Sequence, residues 1–140
     1  MHLTLIKNPD ESRIIVYKIA RVVYAETKAS SLAAVEALAS MIANLRTASN
    51  QDWADIIEDK NIFESLNADS TRHGDLRTDC ASRGFQMCLR VVRMMMKGTL
   101  ADKCCGAAKF HRSELLPYWA VSRGYIAEID GLVFYLQENG

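Results

Sequence analysis

The sequence predicts a mainly helical α+β domain, with a helical body and a small antiparallel β-hairpin near the C-terminus. Three observations carry that expectation. Apolar residues recur at helical spacing in long stretches up to Gly98. Beyond Gly98 the pattern shifts to short apolar runs separated by turn residues. Seven glycines and two prolines in 140 residues are few for an all-β chain. That length fits one domain, 1–140, able to bury a core without staples.

The first helix spans Ser12 to Tyr24, with Ile15, Ile19, Val22 and Val23 on one face. It runs into Tyr24-Ala25-Glu26, where a carboxylate meets the negative pole of the helix dipole. No cation stands among Val22, Val23, Tyr24 and Ala25 to compensate it. Burial and the dipole would both favour the protonated form, which a general acid near neutral pH needs. The bland alternative is an exposed glutamate that closes a helix.

Thr27 to Ser30 is a short polar link. Ser30 or Ser31 then caps a second helix running to about Arg46, its core stripe Leu32, Val35, Leu38, Ile42 and Leu45. Asn50 is expected to cap a short helix, Asp52 to Glu58, with Trp53, Ile56 and Ile57 on its apolar side. From Asp59 to Thr78 periodicity is lost around one aromatic anchor, Phe63. A loop that long in a compact domain is commonly functional or mobile. Asn61, Glu64, Asp69, His73 and Asp75 are its candidates to line a cleft.

Asp79 is expected to cap a helix from Cys80 to Lys97, with Gly98 at its stop position. Ala81, Phe85, Cys88, Leu89, Val92 and Met95 or Met96 form its apolar stripe, and Arg83, Arg90 and Arg93 a solvated face. Gly106 to His111 and Gly131 to Leu136 are the two strands of the expected pair. Tyr118, Trp119, Phe134 and Tyr135 supply aromatic surface suited to sugar rings or to closing a core.

Seventeen basic and 17 acidic side chains balance, so no net field argues for nucleic acid or an anionic membrane. No stretch has the length of a membrane span. No basic-then-apolar leader opens the chain, which predicts a cytoplasmic location. Cys80, Cys88, Cys104 and Cys105 lack C-x-x-C spacing and are expected to be reduced, Cys88 as a buried thiol. The absence of a Gly-rich phosphate loop, H-E-x-x-H and G-x-S-x-G removes nucleotide, zinc-protease and α/β-hydrolase readings.

In order and spacing, several pieces resemble the cell wall hydrolase family of spore-cortex lytic enzymes, the SleB type, from about Ile19 to Tyr135. Ala20-Arg-Val-Val-Tyr-Ala-Glu26 is similar to the family's helix ending in the catalytic glutamate, and Ala34 to Asn44 to the alanine-rich helix after it. Phe63 stands in the place of a Gln-Phe-Ser element. Gly106-Ala-Ala-Lys-Phe-His111, Pro117-Tyr-Trp-Ala120 and Phe134-Tyr135 match the C-terminal strands and aromatics. The chain departs from the family in Thr27-Lys-Ala-Ser after the glutamate, in Ile62 and Glu64 around Phe63, and in Asp130-Gly131-Leu132 where a histidine is usual.

The resemblance implies a lysozyme-like fold and a peptidoglycan glycosidase, with Glu26 catalytic and His111, Trp119, Tyr135, Phe63 and Tyr118 along the sugar cleft. It implies no metal or organic cofactor, and a monomer whose partner is the glycan strand. With one carboxylate placed, the implied reaction is lytic transglycosylation of the N-acetylmuramic acid–N-acetylglucosamine β-1,4 bond. In it the muramic 6-hydroxyl attacks its own anomeric carbon. A cytoplasmic enzyme of this kind would reach the wall through a holin or another export route. The alternatives are a degenerate glycan-binding or phage-associated module of the same fold, and a small helical protein-interaction domain.

Overall fold

A computed structural model of the chain describes residues 14–120 and 123–136. It is mainly helical, with a small antiparallel sheet at the C-terminal end. Helix α1 runs Ile15–Thr27 and buries Ile19, Ala20, Val22 and Val23. The expected start at Ser12 lies outside the described residues. Glu26 belongs to the last helical turn rather than to the loop, and Lys28 closes the helix in the left-handed region with φ 54°.

Helix α2 spans Leu32–Ser49, and the Ala34 N–H donates to Ser31 Oγ at 3.1 Å as its cap. It is buried on most sides from Ala34 to Leu45, where alanines let neighbours approach closely. Leu32, expected in the core, is exposed at the first turn. Asn50 ends α2 in the left-handed region with φ 59° instead of starting the next helix. Helix α3, Trp53–Ile57, therefore begins after Asp52, and Ile56 and Ile57 face the core.

The polar stretch that follows contains two 3-10 turns, Glu64–Leu66 and His73–Arg77. Two anchors fold it over the end of α1. Phe63 is fully buried against Phe110, with ring centroids 5.9 Å apart. Arg21, from α1, donates to the carbonyls of Leu76 (3.2 Å) and Thr78 (3.0 Å).

Helix α4 spans Arg83–Lys97 and stops at Gly98, φ 77°. Its cap is Ser82, which accepts from Phe85 N–H at 3.2 Å. Asp79, expected in that role, accepts from Ala81 N–H in the turn before the helix, and Ala81 is exposed. Phe85, Cys88, Leu89, Val92 and Met95 pack inward as the periodicity requires. The start of α4 meets the end of α1 at Gly84, where a Cβ would lie 3.0 Å from Ala29 Cβ.

The sheet has three strands, β1 (Lys109–Arg112), β2 (Tyr125–Ile129) and β3 (Leu132–Tyr135), in the order β1-β3-β2. The expected pair is β1 and β3, with Phe110 opposite Phe134 and Arg112 opposite Leu132. The third strand joins β3 through Asp130 and Gly131, both at positive φ (45° and 87°), as a tight hairpin turn demands. Asn44 of α2 donates to the Ala107 carbonyl at 2.9 Å and ties the helical body to β1. Among the described residues no helix is long and apolar enough to cross a membrane. All four cysteines are free, with Cys105 exposed.

Candidate functional site

The last turn of α1 points Glu26 into the seam between the 3-10 turn at Glu64–Leu66 and strand β1. The residue is 2% exposed, which removes the reading of a solvated glutamate closing a helix. The expectation of an uncompensated carboxylate also fails. Arg112, at the end of β1, places Nη1 2.6 Å from Glu26 Oε1, and the Ser65 N–H donates to Oε2 at 2.9 Å. The dipole is answered too: Arg72 Nη1 donates to the carbonyls of Ala25 and Glu26, each at 3.0 Å. Those are orphan carbonyls of the helix end, and the cation sits where the dipole favours one.

Arg112 is itself 2% exposed and serves three carboxylates. Nη2 lies 2.5 Å from Glu64 Oε1 and Nε lies 2.9 Å from Glu114 Oε2. Burial pulls the Arg112 pKa down, but the bonds to Glu64 and Glu114 and the charge of Glu26 outweigh it, so the guanidinium is held above its ordinary value. Burial likewise raises Glu64, yet the Ser70 hydroxyl and Arg112 together carry its carboxyl below the usual range. For Glu114 the same contest between burial and Arg112 also ends low. Arg72 reaches Glu114 at 3.4 Å and closes the network.

Above this cluster opens a cleft of about 550 Å³, within the range of small-ligand sites. Its floor holds Glu26, Glu64 and Arg112, its walls Lys60, Asn61, Ile62, Phe110 and His111, and its lip Leu115 to Trp119. Leu116 and Tyr118 are 86% and 98% exposed there, an apolar rim presented to solvent. Another groove, of about 730 Å³, follows the outer face of α4 past Arg83, Arg90, Arg93 and Lys97. Its lining holds neither a carboxylate nor an aromatic ring.

The expected site residues divide. Glu26, His111, Trp119 and Tyr118 line the cleft. Tyr135 stands behind it and orders His111. The Arg112 carbonyl can only accept, so His111 Nδ1 donates to it (2.8 Å) and Nε2 accepts from the Tyr135 hydroxyl (2.9 Å). Burial and then Tyr125 raise the Tyr135 pKa, which keeps that donor protonated. Trp119 stands edge-on to both rings, at 5.6 Å from His111 and 5.3 Å from Tyr135. Phe63 packs in the core and offers no face to the cleft.

Among the polar-loop candidates, Asn61 and Glu64 reach the cleft. His73 instead supports the 3-10 turn, donating from Nδ1 to the Ser65 carbonyl at 2.9 Å, and Asp75 faces Lys28 at 3.8 Å. Sequence reasoning missed Arg112, Arg72 and Glu114. The usable signal was the rule that a buried carboxylate requires a cation, applied beyond its sequence neighbours.

Comparison of the chain with protein-family models, with curated proteins and with solved structures finds no match.

Proposed function

We propose that the chain is a peptidoglycan glycosidase that cleaves the β-1,4 bond between N-acetylmuramic acid and N-acetylglucosamine, with Glu26 as its general acid. The substrate class comes from the sequence resemblance set out above. One observation carries the chemistry: a glutamate enclosed in the last turn of a buried helix forms the floor of a cleft rimmed by Tyr118 and Trp119. Aromatic rings at such a lip suit the apolar faces of sugars. The Glu26 carboxyl would give its proton to the glycosidic oxygen as the C1–O bond breaks and the electron pair passes to that oxygen.

The test is digestion of purified sacculi by wild type and Glu26→Gln, with soluble products read by mass spectrometry. Fragments from wild type that disappear with the substitution support the reading. Equal release by both removes Glu26 from the mechanism.

A second reading, glycan binding without cleavage, is favoured by the saturation of Glu26. Both carboxylate oxygens already have partners, in Arg112 and the Ser65 N–H. Sacculi that retain the wild-type protein while releasing nothing would select it.

A further inference from the structure

We propose that Glu64 is the second catalytic carboxylate of this site, and that water rather than the muramic 6-hydroxyl is the final acceptor. The inference rests on the glycosidase reading and adds the partner of Glu26 and the chemistry of the product. Its foundation is the way one guanidinium holds the two glutamates, Glu26 on Nη1 at 2.6 Å and Glu64 on Nη2 at 2.5 Å. Both carboxyl groups therefore reach the floor of one cleft, where they can face the same bond of a bound sugar.

Their surroundings separate their roles. Glu26 is enclosed, its side chain 1% exposed, whereas the Glu64 side chain is 36% exposed and accepts from the Ser70 hydroxyl at 2.7 Å. In this assignment the enclosed Glu26 takes the acid's part and the more exposed, hydrogen-bonded Glu64 that of the attacking carboxylate. Although burial raises Glu64, its bonds to Ser70 and Arg112 hold it ionised, as an attacking carboxylate must be.

The reaction then closes without another reagent. The Glu26 proton goes to the leaving oxygen, the C1–O bond breaks, and a Glu64 oxygen forms the new bond to C1. Water gives a proton back to the Glu26 carboxylate as its oxygen bonds to C1, and the C1–Glu64 electron pair returns to Glu64. The net change is addition of one water, with retained configuration and a reducing end. Arg112 acts in this scheme through the two carboxyl groups it holds and is a positioning residue.

The experiment compares wild type, Glu26→Gln and Glu64→Ala on purified sacculi, with and without sodium azide, and reads products by mass spectrometry. Wild type is expected to release reducing-end muropeptides. Glu64→Ala is expected to lose about 10²–10⁴-fold in kcat, the scale of one positioned catalytic group, while still binding sacculi. Azide, small enough to occupy the vacated space, would restore release and leave an anomeric azide on the fragment. A folded Glu64→Ala that azide does not rescue overturns the assignment. If Glu64→Ala loses its fold, Glu64→Gln keeps a carbonyl for Arg112 and carries the same kcat comparison. Anhydro products from a wild type matched by the Glu64 variants, with Glu26→Gln silent, overturn this inference and leave the glycosidase reading intact. A silent wild type overturns both.

Discussion

Replacing Arg112 with methionine should expose how much of the fold depends on its charge. The substitution leaves Glu26 buried with the Ser65 N–H as its remaining partner in this network. Side-chain exposures of 2% and 1% place the Arg112–Glu26 pair in the interior, where losing one member costs about 3–5 kcal/mol. Glu64 and Glu114, with side chains 36% and 51% exposed, regain water and add at most about 1 kcal/mol. Against the ~5–15 kcal/mol that holds a typical domain, this is a large fraction. With a urea slope of about 1–3 kcal/mol/M, the midpoint should fall by roughly 2 M.

The reciprocal variant behaves differently. Glu26→Gln removes the buried anion, and Arg112 keeps Glu64 and Glu114, so the expected cost is about 1–3 kcal/mol for one misfitted hydrogen bond. The double variant buries no unpaired charge and should fall short of the sum of the singles by about 2 kcal/mol or more. Urea unfolding followed by circular dichroism, with unchanged slope, measures all three. An Arg112→Met cost under about 1 kcal/mol, the scale of an exposed pair, together with additivity in the double variant, would refute the reasoning.

Two other outcomes follow from the same structure. Glu64 and Glu114 have folded-state pKa values below their ordinary 4.5. Their contribution is therefore complete above that value and is lost as the pH falls through the folded values. Wild-type stability should drop in acid below about pH 4.5, and Arg112→Met should show a flatter profile when urea midpoints are measured against pH. Burial pushes the Cys88 thiol to about 12, and burial with Asp102 does the same for Cys104. Cys80 is also buried, leaving Cys105 as the exposed thiol. A disulfide reagent should therefore label one cysteine quickly in the native protein and four after denaturation, read by mass.

The helices were legible because burial imposes a 3.6-residue period, and Ile19, Val23, Leu38, Ile42, Phe85 and Leu89 obey it. Caps were less so. Asp79 and Ser82 are both capping residues, and only the packed position of Phe85 decides which one the helix uses. Strand β2 went unread because Tyr125 to Ile129 is half exposed and carries a weak apolar pattern. Its signal was Asp130-Gly131, a hairpin dipeptide between two runs. Glu26 was visible as an anomaly at a helix end. Its partner lies 86 residues away and was not, since no local rule links a helix terminus to the last residue of β1. Nor could the loop's acidic residues be ranked until Phe63 and Arg21 folded the segment down and brought Glu64 over Arg112.

The cluster also bears on the choice between cleavage and binding. Buried ion pairs are poor sources of stability, because apolar residues of similar volume hold a fold as well or better. Three carboxylates around one enclosed guanidinium are thus an expensive way to close the seam between α1 and β1. A protein that only holds glycan has no use for that expense. Sugar rings stack on exposed rings such as Tyr118, and hydroxyl groups are met by surface polar side chains such as Lys60 and Asn61. Neither requires a carboxyl group at 2% exposure. A reaction that moves a proton and builds charge at an anomeric carbon does require one. It gains most where water is excluded and the fixed charges are already oriented. On the glycosidase proposal, the saturation of Glu26 is a resting state that bound sugar has to remodel, and the desolvated pair beneath the cleft supports cleavage over binding alone.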